Sequence, residues 1–255
     1  MNSFLSYFNK EFIEGIRNRK FLILAIGILF FGLLDPIAMK LTPIIVESQT
    51  DMNIADMLEL SQRASIQKHI LNLFQIYPII LVFTLMGIVS SEIKQKTLVI
   101  PVSLGAKFKG IVSSKLLIYG LYFLIICMVD IFSTYYYSGV IFGFDFQNPY
   151  IFIKAGILIA LFYTFVVSLL IFWGSIFRKD SLGAMFTIAI VFLMPLIAMP
   201  FKSTLVYMPY NLIVEAKYLT EIASKELFIS LVWTLFYIFI LNGISVMRLE
   251  RSNLM

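Results

Sequence analysis

The sequence predicts an all-α integral membrane protein with six transmembrane helices. Two observations carry this. Hydrophobic residues make up 60% of the 255 and charged residues 14%, with a mean hydropathy of +0.92. A soluble domain has about 25% charged residues, so this chain lacks the polar groups to cover a globule. Apolar stretches of about 20 residues, the length that crosses a bilayer as a helix, also recur along the whole chain. Residues 1–255 read as one membrane domain with no room for a folded soluble domain beside it.

The elements follow in order. In "NSFLSYFNKEFIEGIRNRK", Phe4, Leu5, Phe8, Phe12 and Ile16 fall on one helical face, while Ser6, Lys10, Glu14 and Arg17 lie elsewhere. Residues 1–20 are therefore expected to form an amphipathic helix in the membrane surface, apolar side down and basic side toward anionic lipid. No small-residue cleavage site follows the next apolar run, so it reads as a retained span rather than a removed leader. The spans are predicted at 21–39, 70–89, 116–138, 153–177, 182–200 and 227–247. Between the first two, Ile54, Met57, Leu58 and Ala64 outline a short amphipathic helix. Residues 201–226, around Pro209, mix apolar and polar groups and are expected to fold back toward the membrane edge. "GVIFG", Gly139 to Gly143, has the spacing of a helix-contact motif but reads better as a turn at a span's end. Pro195 is expected to bend the fifth span, and Trp173 and Trp233 read as packing or interface residues.

Lysine and arginine counts orient the chain. With the N-terminus inside, inner segments hold 13 and outer segments 7 of the 20 basic residues. Both termini are then cytoplasmic, and the net charge of +5 reflects topology rather than nucleic acid. Cys127 is the single cysteine and His69 the single histidine, so no internal disulfide or histidine metal site is expected. His69 borders the second span and is expected to be solvated.

Between the second and third spans lies "SSEIKQKTLVIPVSLGAKFKGIVSSK", residues 90–115, with five lysines and one acid. Glu92 and Lys96 have the i, i+4 order that favours a helix pair. Pro101 disfavours helix at Ile100, and Ser103 is suited to cap a new helix. In that helix Leu104, Phe108, Ile111 and Val112 would share an apolar face, with Lys107 and Lys109 pointing away. Such a loop either fixes topology by its charge or docks a cytoplasmic partner.

Two acids, Asp35 and Asp130, fall inside predicted spans, where a carboxylate costs about 2.5–3.5 kcal/mol on insertion scales. Each follows the inner end of its span by about 14 residues, roughly 21 Å, so both belong at comparable depth. They read as groups of a pathway attracting a cationic substrate or binding a cation. Alternatively they are structural. Asp35–Pro36 has the form of a helix cap followed by proline at the first helical position, and Ser133 and Thr134 offer hydroxyls to Asp130.

The 90–115 segment resembles the stretch after the second span of ABC-2 type permeases, the membrane subunits of ATP-driven exporters. Glu92, Thr97, Pro101, Ser103 and Lys115 match that pattern by type and order. Lys96 stands where the family has glycine, and Leu104 replaces its arginine, a charge that Lys107 supplies under a shifted alignment. The likeness extends to the surface helix, the six spans and a segment before the last span. It implies a cytoplasmic coupling helix between spans 2 and 3 and an extracellular helical segment between spans 5 and 6. It implies half of a dimeric translocation pathway in the plasma membrane, completed by a second permease subunit as homo- or heterodimer. A cytoplasmic ABC ATPase would dock on the N-terminal helix and on Glu92, Thr97, Pro101, Ser103 and Lys107. "LGAKFKG" does not fit G-x-x-x-x-G-K-[ST], so ATP and Mg²⁺ belong on that partner. This chain itself is expected to bind no cofactor and to be no enzyme.

Other classes compete less well. A serine hydrolase needs histidine within reach of its nucleophile, and His69 and Ser175 belong to opposite sides of the membrane. An ion-coupled secondary transporter or channel would show broken helices in corresponding halves or ion-binding groups at mid-membrane, whereas both acids lie in the first half, without a counterpart in the fourth to sixth spans.

Overall fold

The computed structural model describes residues 3–49, 59–145, 148, 150–177, 179–220 and 224–251. Among these the regular structure is entirely helical. Six helices are long and apolar enough to cross a membrane, over Lys20–Val46, Gln62–Lys94, Phe108–Phe142, Tyr150–Ile176, Asp180–Ala198 and Lys225–Arg251. The protein is a multi-pass membrane protein. Ile54, Met57 and Leu58 of the expected loop helix, Arg178, and residues 1 and 2 lie outside the described residues.

Helix α1, Ser3–Arg17, is apolar on its outer side and turns sharply into α2, Lys20–Gln49, at Arg19, whose φ is 56°. Leu5, Phe12, Ile13 and Ile16 are exposed on α1. Helix α2 runs unbroken through Pro36 and Pro43, so Asp35 is inside a helix and does not cap a new one. The continuity has a local cause. Pro36 has no N–H for the Gly32 carbonyl four residues earlier, and the Thr134 hydroxyl donates to that carbonyl at 3.3 Å. A neighbouring hydroxyl thus satisfies the group that proline frees.

Helix α3, Gln62–Leu85, starts eight residues before the predicted span. Ser61 caps it, its hydroxyl accepting from Ala64 N at 3.1 Å. Ala64 therefore belongs to a spanning helix. Its first turns are polar but not solvated: Gln62 donates to Tyr135 O at 2.9 Å and accepts from Asp145 N at 2.8 Å. Two five-residue helices, α4 at Ser90–Lys94 and α5 at Val99–Ser103, follow a turn at Gly87. Gly87 has φ of 84°, and a Cβ there would meet the Ser91 hydroxyl at 2.3 Å, so glycine is required.

Helix α6, Phe108–Phe142, is continuous. The expected separate amphipathic helix is absent: Phe108, Ile111 and Val112 are buried in the first turns of α6, and Leu104 is exposed in the loop before it. Gly139 lies within α6, and Gly143, with φ of 94°, ends it. Helix α7, Tyr150–Ile176, is the central rod, buried over most of its length. Helix α8 covers Asp180–Ala198, including Pro195. A 3-10 helix at Lys202–Tyr207 and α9, Asn211–Tyr218, then close one end of the bundle before α10, Lys225–Arg251. Asn211 donates to Ser230 at 2.8 Å and Ser230 to Val206 O at 2.7 Å, which ties that closure to α10.

Tyrosine hydroxyls link the rods through backbone carbonyls. Tyr77 reaches Leu24 O at 3.1 Å, Tyr122 reaches Phe21 O at 2.6 Å, and Tyr163 reaches Leu73 O at 3.2 Å. The rings of Tyr77, Phe123 and Tyr163 pack on one another with centroids 4.8–6.3 Å apart. Helices α6 and α7 approach closely at Gly156, where a Cβ would sit 2.7 Å from Met128 Sδ and 3.5 Å from Met128 Cα. Gly156→Leu is expected to lower thermal stability in detergent, by about 1–3 kcal/mol as overpacked cores do. Gly120→Ala, whose Cβ lands 3.5 Å from Thr164, is expected to be neutral or slightly stabilising.

Candidate functional site

At the end of the bundle where α1 lies, charged side chains join three helices. Tyr7, Glu11 and Gly15 recur every four residues along α1 and face inward. Glu11, 1% exposed, accepts from Lys115 Nζ of α6 at 2.6 Å. Lys115, 2% exposed, also lies 3.0 Å from Glu92 Oε2 of α4. Lys10 returns from α1 to Glu92 Oε1 and to Glu11. Two cations and two anions thus form a neutral ring across α1, α4 and α6. Lys20 adds a 2.8 Å bond to Glu14.

This geometry replaces the expected Glu92–Lys96 pair. Lys96 adopts φ of 56° and leaves the helix, so Glu92 turns to Lys10 and Lys115. Thr97 closes α4, its backbone N–H and hydroxyl both donating to Glu92 O, at 3.0 and 3.3 Å. Pro101 sits in the first turn of α5, where its missing N–H loses nothing, so Ile100 is helical after all. Ser103 ends α5 with its hydroxyl on Ile100 O at 2.8 Å instead of starting a helix. Lys107 occupies the N-cap of α6.

Glu11, Glu14 and Glu92 approach closely enough to share a cation, and the three lysine ammonium groups already supply that charge. Burial raises the Glu14 carboxyl, but the bond and charge of Lys20, with Lys10 and Lys115, hold it below the ordinary range. Burial lowers Lys10, yet the charges of Glu92 and Glu11 outweigh it and raise its pKa. Burial and the Glu92 charge push the Tyr7 phenol up to about 12. Between α1 and the α3–α5 turn lies a cleft of about 1010 Å³, lined by Lys10, Glu14, Arg17, Glu92, Pro101 and Leu104 among others. Leu104 and Ile100 are 83% and 69% exposed.

Deeper in the bundle is a second cluster. His69 Nδ1 lies 2.7 Å from Asp35 Oδ2, and His69 Nε2 lies 2.9 Å from Asp130 Oδ2. Asn72 donates to Asp35 Oδ1 at 2.7 Å. His69 and Asp130 are fully buried and Asp35 is 5% exposed. The two acids share one imidazole. His69 is therefore not solvated: α3 starts early enough to carry it into the bundle. Ser133 bonds Val129 O and Thr134 bonds Gly32 O, so those hydroxyls go elsewhere than the Asp130 carboxylate. Sequence reasoning passed over Glu11, read His69 as solvated, and passed over Asn72. A signal existed for the last two, since Gln62, Ser65, His69 and Asn72 recur at i, i+3, i+7 and i+10, one polar stripe of a helix.

Compared with models of known protein families and with curated protein sequences, the chain matches none.

Two outcomes follow for the charged ring. Lys115→Met is expected to destabilise by about 3 kcal/mol, because the buried Glu11 loses its 2.6 Å partner and keeps only the longer contact to Lys10 at 3.3 Å; adding Glu11→Gln should recover most of it in thermal unfolding. Glu14, held below its ordinary range, stabilises above its unfolded pKa and loses that contribution as pH falls through its folded value. Glu14→Gln should flatten this acid-side loss in an unfolding series against pH.

Proposed function

We propose that the chain is the permease subunit of an ATP-binding cassette exporter, driven by a separate cytoplasmic ATPase. The observation that supports this most directly is the Lys10–Glu92–Lys115–Glu11 ring. It makes the N-terminal helix and the loop after the second span one body, continuous with α2, α3 and α6. A soluble motor that grips such a body can move spanning helices without touching the membrane interior. Leu104 and Ile100, exposed beside the cleft, offer apolar surface that a partner would cover. The likeness of residues 90–115 to ABC-2 permeases points the same way.

In this reading α4 and α5 form the coupling segment, with Glu92, Thr97, Pro101, Ser103 and Lys107 shaping it. Both termini are cytoplasmic in the plasma membrane, and the closure by the 3-10 helix and α9 is extracellular. A second permease subunit completes the pathway. Cargo is peptide, antibiotic or another amphipathic molecule, and ATP with Mg²⁺ is held by the motor.

The buried Asp35–His69–Asp130 cluster favours a second reading, an ion-coupled transporter or channel working without a motor. Purification from native membranes separates the two. The exporter reading expects an ATPase to co-purify and vanadate to abolish export after joint reconstitution. Leu104→Asp with Ile100→Asp should cut ATPase recovery at least tenfold while leaving the thermal stability of the chain unchanged. Transport by this chain alone, driven by an ion gradient, would sink the exporter reading.

A further inference from the structure

His69 touches a carboxylate with each ring nitrogen, at 2.7 Å and 2.9 Å, and a proton count at this site has a consequence. A hydrogen bond at such a distance needs a proton between the two heavy atoms. Neutral imidazole carries one N–H and one lone pair, so it can satisfy only one of two ionised carboxylates. The other contact would then set lone pair against lone pair. Two protons are therefore held in the two contacts, as imidazolium between carboxylates or as neutral imidazole with one carboxylic acid. Either distribution leaves the triad with one net negative charge.

The groups around the triad leave that charge in place. On α3, Asn72 donates to Asp35, and the Tyr77 hydroxyl goes to Leu24 O. On α6, Thr134 donates to Gly32 O and Cys127 is a buried free thiol. On α7, the Tyr163 hydroxyl goes to Leu73 O. The ion-pair partner of both carboxylates is His69. Asp130 Oδ1 is buried with no hydrogen-bond partner among the described residues. It faces Gly32, where a Cβ would lie only 2.5 Å away.

We propose that Asp35, His69 and Asp130 form a buried proton-binding site, doubly protonated at rest, whose loss of one proton to water loosens α3 from α2 and α6. In the loaded site both N···O contacts attract, and α3 is clamped between its neighbours. When one proton leaves, one contact becomes repulsive at low dielectric and the two carboxylates lose part of their shared screening. Asp35, the triad member that keeps some exposure, is where a proton can leave or enter. The site works in this way whether or not a motor drives the protein.

His69 is the only histidine, so selective ¹⁵N labelling of histidine reports on one residue. In lipid bilayers the imidazole nitrogens are expected to be both protonated, or both strongly hydrogen-bonded, at neutral pH. Between about pH 5 and pH 10, a range that spans shifted histidines, they should pass through one step in which a proton is lost. A spin-label distance between α3 and α6 should lengthen at the same pH. Asp130→Asn supplies an N–H donor to Nε2 and satisfies neutral imidazole, so both the ¹⁵N step and the distance change should vanish. Asp35→Asn tests the other contact and stands in if Asp130→Asn does not accumulate. A bare, unprotonated ring nitrogen at neutral pH in the native chain overturns the proposal. So does a ¹⁵N step without a distance change, or no step over the whole range.

Discussion

An ion removed from water must find its counter-ion within the protein, and here the partners come from different helices. Glu11 and Lys115 meet at 2.6 Å with almost no exposure, one from α1 and the other from the third long rod. His69 reaches Asp35 and Asp130 on rods either side of its own. In a chain whose surface is mostly apolar, burial of greasy side chains gives little direction, because lipid satisfies them as well as another helix does. The ion pairs supply the direction. Each fixes both a depth and a rotation, since a helix turned by one residue would carry its carboxylate away from the partner.

The same accounting governs the backbone. A proline inside a spanning helix frees a carbonyl that has no water to turn to. In α2 the freed Gly32 carbonyl takes the Thr134 hydroxyl, and a side chain at residue 32 would collide with both Thr134 and Asp130. Gly32, Pro36, Thr134 and Asp130 are consequently one local solution rather than four separate choices. Tyr77, Tyr122 and Tyr163 extend the pattern: each places its ring in the packed interior and its hydroxyl on a carbonyl of another rod.

These contacts explain which features the sequence made legible. Apolar run length measures the free energy of lipid exposure, so the six spans were readable one by one, as was the exposed face that Leu5, Phe12 and Ile16 give α1. Hydropathy misplaces helix ends wherever polar residues are satisfied internally. That is why α3 begins at Gln62 and His69 lies within the bundle rather than at its rim. Local capping rules failed at Asp35 because a cap is worth about 1 kcal/mol and its tertiary partners His69 and Asn72 outweigh it; at Ser103 the hydroxyl turns back to Ile100 O within its own short helix. That Asp35 and Asp130 lie within the bundle was legible from the apolar runs around them. Their common partner was not, because pairing across rods depends on which helices are neighbours, which spacing along one chain leaves open.

The two charged clusters share their supports. Helix α6 carries Lys115 at one end and Asp130 about 22 Å along it, at 1.5 Å per residue, and it is unbroken between them. Helix α3 carries His69 and leads through the Gly87 turn to Glu92. A relative movement of α3 and α6 at the triad therefore must also be felt at the ring, where Glu92 and Lys115 are held to α1. Shared rods by themselves transmit force but do not store a choice; coupling between sites needs an element with two distinct arrangements. An imidazole wedged between carboxylates has that property, because removing a single proton reverses the sign of one of its contacts. In the proposed exporter, the surface that a motor grips and the depth at which a proton binds would then be two ends of the same pair of helices.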